Sequence, residues 1–107
     1  MNAQLESRKK LHSHIQVVSG LQKIYYNPGP AFRLDYPCIV YHLTTSRDER
    51  ADNGIYTFTD VYSVTVIDKK PDSELAFKLR ADARFKMTSS FVTEGLYHQT
   101  FEITTTY

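Results

Sequence analysis

Residues 55–68, IYTFTDVYSVTVID, carry an alternation that few folds can accept. Tyr56, Phe58, Tyr62, Val64 and Val66 share one parity, while Thr57, Thr59, Ser63 and Thr65 share the other. A period of two puts the first set on one face of a strand and the second on the opposite face. One apolar face of this length requires a core packed against it and partner strands beside it. The chain is therefore expected to build a sheet with one covered face.

The flanking segments indicate what covers it. Asn2 to Val18 reads as an amphipathic helix: Asn2 caps it, Leu11, Ile15 and Val18 form a narrow stripe, and Gly20 stops it. Glu6 and Lys10 are spaced for a same-face ion pair. A short β-like piece, LQKIYY, runs into the turn residues NPGP, and YPCIVYHLT reads as a strand with Pro37 near its start. Within KKPDSELAFKLRADA the pattern turns helical, with Asp72 or Ser73 as cap and Leu75, Ala76, Leu79 and Ala83 along one side. ARFKMTSSFV, a turn at Thr93 to Gly95, and LYHQTFEITTTY return to strand character, with Tyr97, Phe101, Ile103 and Tyr107 on one face of the last. The expectation is a single α+β domain over residues 1–107, a mainly antiparallel sheet with two helices on one face. Its parts are an N-terminal helix at 1–20, strands at 21–70, a helix at 71–84 and strands at 85–107.

The totals narrow the function classes. At 107 residues the chain fits one domain, and a formal net charge of +1 gives nucleic-acid or acidic-membrane binding no support. The single Cys38 excludes an internal disulfide and a multi-cysteine zinc site, and its apolar surroundings predict a buried, inert thiol. No apolar run approaches the roughly 20 residues of a membrane helix, and MNAQLESRKKLHSH lacks the apolar core of a signal peptide. Eight Tyr, six Phe and no Trp favour surfaces that are wet before assembly and buried after it.

No catalytic or cofactor constellation emerges. His12 and His14 lie two apart on a helix and point apart, and His42 and His98 stand alone in strands. GxGxxG, GxxxxGK[ST], GxSxG and HExxH are all missing, and 4 Gly leave little for a phosphate loop. The reading is a protein with no enzymatic role, no cofactor and no metal. Arg8, Lys9 and Lys10 spread around their helix as a solvated face, and the strand aromatics neighbour Thr and Ser, unlike an RNA-binding sheet.

One segment is left over. SRDERADNG, residues 46–54, holds Arg47, Asp48, Glu49, Arg50 and Asp52 between two β-prone runs. A plain hairpin needs about two to five linking residues, so this reads as an oversized, charged loop. Loops of mixed sign can orient docking, since electrostatic complementarity selects partner and register. These five residues are the candidate partner-binding site; the other reading is an idle solvated loop.

The segment YTFTDVYSVTVIDKKPDSELAFKL, with YPCIVYHL upstream and Phe85 and LYHQTFEITTTY downstream, resembles small tail proteins of long-tailed bacteriophages of the tail-terminator or tail-completion type. The resemblance runs from about Tyr36 to the C-terminus. It implies a structural virion subunit that assembles with itself into a ring, commonly a hexamer. Such a ring caps the tail tube, ends its polymerisation and joins the tail to the head connector. The implied partners are further copies, the tail tube protein and a head-completion or connector protein, and the implied place is the head–tail interface of the virion after assembly in the host cytoplasm. Head-completion (stopper) and other neck proteins share its size and composition. A small soluble binding module, or an enzyme with a ligand on the sheet face, is the reading from a different class.

Overall fold

The computed structural model describes residues 2–51 and 54–107. The elements run α1 (Ala3–Ser19), β1 (Ile24–Tyr26), β2 (Cys38–Ala51), β3 (Gly54–Asp68), α2 (Glu74–Arg80), β4 (Lys86–Thr93) and β5 (Leu96–Thr106). The strands form one five-stranded sheet in the order β1-β2-β3-β5-β4, antiparallel except for the β1–β2 pair. This is the α+β architecture the alternation demanded.

Local chemistry sets the helix ends. Asn2 Oδ1 accepts from the Leu5 amide at 3.1 Å, filling one of the bare donors of the first turn. Gly20 closes α1 in the left-handed region at φ 71°, its amide donating to the Gln16 carbonyl at 2.8 Å. Ser73 caps α2 and itself donates to Asp68 Oδ2 at 2.7 Å, tying the helix start to the end of β3. Two expectations fail here. Glu6 pairs with Lys9 at 3.7 Å and not with Lys10. Ala83 lies outside α2, which ends at Arg80 and leaves Ala76 and Leu79 as its buried pair.

Both helices cover one face. Leu11 and Ile15 of α1 and Ala76 and Leu79 of α2 join Ile39, Tyr41, Tyr62, Val64, Val66, Phe101 and Ile103 in one core. Removing side chains such as Leu11 or Ile15 from water stabilises the fold by about 1.5–3 kcal/mol each. The opposite face is bare of helices, with Thr65 and Thr100 hydroxyls 3.1 Å apart across neighbouring strands.

β2 and β3 run on past the body. Pairing of β3 with β5 ends at Thr59 and Thr106, with a last pair of backbone bonds between Phe58 and Tyr107, whereas pairing of β2 with β3 continues to Ala51 and Gly54. A two-stranded arm therefore projects from one end of the sheet. It accounts for a long axis of 52 Å and a radius of gyration of 15.0 Å, against about 13 Å for a compact chain near 100 residues. The β4–β5 hairpin turns at the opposite end, where Glu94 and Gly95 both have positive φ, 50° and 75°.

Candidate assembly interface

Through Arg50 the charged segment is strand and not loop. Arg47, Asp48, Glu49 and Arg50 are strand residues of β2, opposite Thr59, Phe58, Thr57 and Ile55 of β3. Asp52 lies outside the described residues. Residues 46–51, expected to lie in an oversized loop, thus form one strand of a β-ribbon, and the reason is local. Thr57 and Thr59 favour extended backbone, and every charged side chain on the partner strand is exposed, so pairing desolvates none of them. Arg47 and Glu49 point to the bare face of the sheet, while Ser46 and Asp48 point to the helix side. Arg50 reaches Asp48 at 3.6 Å, an exposed pair contributing about 1 kcal/mol at most. The charges project in two directions and are not gathered into one patch.

A bulge sets this orientation. The β2–β3 register shifts between Leu43 and Thr45, and Thr44 Oγ1 donates to the Val61 carbonyl at 2.9 Å. The extra residue exchanges the faces of β2: Ile39 and Tyr41 serve the core before it, and Ser46 faces the same side after it.

Ser46 meets a residue the sequence reading passed over. Asp60 is 1% exposed, a charged residue amid the apolar face of β3, with Asp68 a second at the end of the strand. Its Oδ1 accepts from Ser46 Oγ at 2.7 Å, and its Oδ2 accepts from Tyr107 at 2.8 Å and from Gln4 Nε2 at 3.3 Å. A buried carboxylate is tolerated when donors replace its water, and these come from the arm, the last residue after β5 and the first turn of α1. Burial, followed by the hydrogen bond to Asp60 and its charge, pushes the Tyr107 phenol up to about 12. Burial, with the Asp60 charge second, does the same for Tyr62. Phe58 stacks on Tyr107 at 5.3 Å, and with Gln4, Ser46, Asp48 and Asp60 they line an open cleft of about 590 Å³ under the arm. Asp60 shares a parity with Tyr62 and Val64, and a carboxylate on that face was the available signal.

The remaining candidates have structural partners. Arg8 lies over the Tyr26 ring at 4.1 Å, and His12 Nδ1 meets the Tyr41 hydroxyl at 2.7 Å. Burial and then Arg8 hold the His12 pKa below its ordinary value. His14 lies 3.4 Å from Asp82 and stacks on Phe85, and His98 stacks on Phe91. Cys38 is buried, and desolvation pushes its thiol up to about 11. Among the described residues no group of three or more His, Cys, Asp or Glu is placed to hold a metal ion, and no helix is long and apolar enough to cross a membrane.

No protein-family profile matches the chain, and no curated protein matches it significantly.

Proposed function

We propose that this chain is a structural subunit of a long-tailed bacteriophage that assembles with itself into a ring, caps the tail tube and joins the tail to the head connector, without an enzymatic role. The observation that carries this reading is the projecting arm. A two-stranded ribbon with no third strand is marginal in water by itself, yet β2 and β3 maintain one beyond Thr59 with exposed charges on both faces. Such an element gains most when a partner adds to it. The phage-tail resemblance of the segment from Tyr36 onward supplies the kind of partner, and head-completion or neck proteins are the nearest variant of the same reading.

The test is tail-tube polymerisation with and without the chain, imaged by negative stain. Tubes of limited length bearing a terminal disc support the reading. Tubes of unchanged length and bare ends overturn it, and binding to the connector but not to the tube selects the stopper variant. The cleft at Asp60 favours one other reading, a small-ligand module, which would bind at Gln4, Asp60 and Tyr107 and leave tubes unaffected.

A further inference from the structure

β2 and β5 lie on either side of β3, both antiparallel to it, and so run parallel to each other. Each is covered along only part of its outer edge. β1 pairs with β2 at Ile39–Tyr41, and β4 pairs with β5 up to Glu102. Register through β3 sets Ser46, Asp60 and Thr105 at one height, and Arg47, Thr59 and Thr106 at the next. The uncovered lengths of the two strands therefore stand at the same level on opposite edges of a three-stranded block.

The direction of the free backbone groups follows from the ladder. Phe58 and Tyr107 exchange both backbone hydrogen bonds, at 2.7 and 2.9 Å. Alternation then turns the N–H and C=O of Ile103 and Thr105 toward β3, and those of Thr104 and Thr106 outward. On β3 it turns Thr57 and Thr59 toward β2, which leaves Ser46 and Asp48 with outward groups. No strand among the described residues meets either set.

We propose that the β2 edge of one copy, at Ser46 to Asp48, adds in parallel to the β5 edge of a second copy, at Thr104 to Thr106, so that the sheet runs on from copy to copy. Parallel addition seats the outward residues of one strand opposite the inward residues of the other. Ser46 and Asp48 then come opposite Thr105 and Tyr107, all on the helix side, and both copies keep their helices on one face. Antiparallel addition would match Ser46 and Asp48 with Thr104 and Thr106 on the bare side and turn one copy over. A contact between two different edges is heterologous. Because the edges stand at one height, the copies add without a shift along the strands, and such a contact closes into a ring where its rotation divides the circle.

Charge fits the same placement. A notch of about 200 Å³ beside Thr104–Thr106 is lined by Lys10 and Arg84, and neither is in an ion pair with a carboxylate among the described residues. Asp48, whose one ion-pair partner among the described residues is exposed Arg50, arrives next to that notch on the helix side. On the bare side Arg47 arrives opposite Thr106. The proposal rests on the ring reading above and supplies its contact.

The test is directed cross-linking. An Arg47→Cys variant and a Thr106→Cys variant are mixed under mild oxidation and run on a non-reducing gel beside native mass spectrometry. Cys38 is buried and stays out of the reaction. The expected product is the mixed dimer, with loss of each variant's monomer only in the mixture, and the double variant gives a ladder ending at a closed ring. Symmetric dimers of either variant alone, multimers without the mixed cross-link, or a monomer at every concentration with no cross-link each overturn the contact. Thr106→Pro removes one outward N–H while leaving the β3 ladder intact, as an edge position allows. It is expected to abolish the multimer and keep the fold by circular dichroism, and persistence of the multimer overturns the proposal. Rings that cross-link as expected but ignore tail tubes would refute the tail reading and leave this contact standing.

Discussion

Asp60 and Tyr107 meet at 2.8 Å across neighbouring strands, the phenol donating to a carboxylate that is 1% exposed. The pair fixes the end of the chain to the base of the arm, and Ser46 and Gln4 donate to the same carboxylate. Asp60→Ala leaves the Tyr107 hydroxyl half-buried without its acceptor, and is expected to destabilise by about 1–3 kcal/mol. Asp60→Asn keeps one acceptor and should lose less. Urea unfolding measures both. A change under about 0.5 kcal/mol for the alanine variant would remove Asp60 from its role as the joint between arm and body.

Alkaline pH acts on the same joint. The folded pKa values of Tyr62 and Tyr107 are raised to about 12, above the ordinary tyrosine value of 10.0, first by burial and then by Asp60. A raised pKa means that the protonated phenol is favoured in the fold. Its contribution is fully present below pH 10 and is lost as pH rises toward 12. Thermal melts should be flat from neutral pH to about 9.5 and fall steeply above it. Tyr107→Phe should make that fall shallower.

How much of this was legible in the sequence depends on parity. The β3 strand was plain because Tyr62, Val64 and Val66 keep step, and α1 was plain because Asn2 and Gly20 mark its ends. The arm was hidden by the bulge at Thr44, which moves Ser46 and Asp48 onto the parity opposite to that of Ile39 and Tyr41. A strand that changes parity and carries charges looks like a loop. The partners of Asp60 lie 56, 14 and 47 positions away in the chain, so only folding reveals them.

Cys38 should be silent in the native state. Its side chain is fully buried, and its thiol, raised to about 11, holds little thiolate at neutral pH. A thiol-specific chromogenic reagent should label the native chain far more slowly than the urea-unfolded chain, with one equivalent reached on unfolding. Rapid native labelling would show that the end of the sheet at Cys38 and Ile67 opens readily.

The β4–β5 turn holds a position that its residue does not favour. Glu94 sits at φ 50° ahead of Gly95 at 75°, and two residues of positive φ are the preference of an Asn-Gly turn. Glu94→Asn should stabilise the chain by about 0.5–1 kcal/mol by relieving left-handed strain. Gly95→Ala should destabilise it by a similar amount, although a Cβ there meets no other atom. Paired thermal melts separate these signs, and equal effects of the two substitutions would contradict the turn geometry.

Charge reversal on the arm separates folding from assembly. Arg47 and Arg50 are exposed, and their one ion pair among the described residues, Arg50 with Asp48 at 3.6 Å, is solvated. Arg47→Glu with Arg50→Glu should therefore leave stability within about 0.5 kcal/mol of the wild type. Assembly should suffer, because the arm would then be acidic on both faces and would lose the mixed-sign pattern that orients its docking. Electrostatic pairing of this kind acts mainly on encounter and register, so ring formation should slow in the variant. Its dependence on ionic strength should also differ from that of the wild type, since the variant keeps the attraction of Asp48 to Lys10 and Arg84 and loses that of the two arginines. Light scattering against salt concentration reads both effects. Unchanged assembly kinetics in the double variant would mean that these arginines are solvated bystanders and that the backbone edge alone makes the contact.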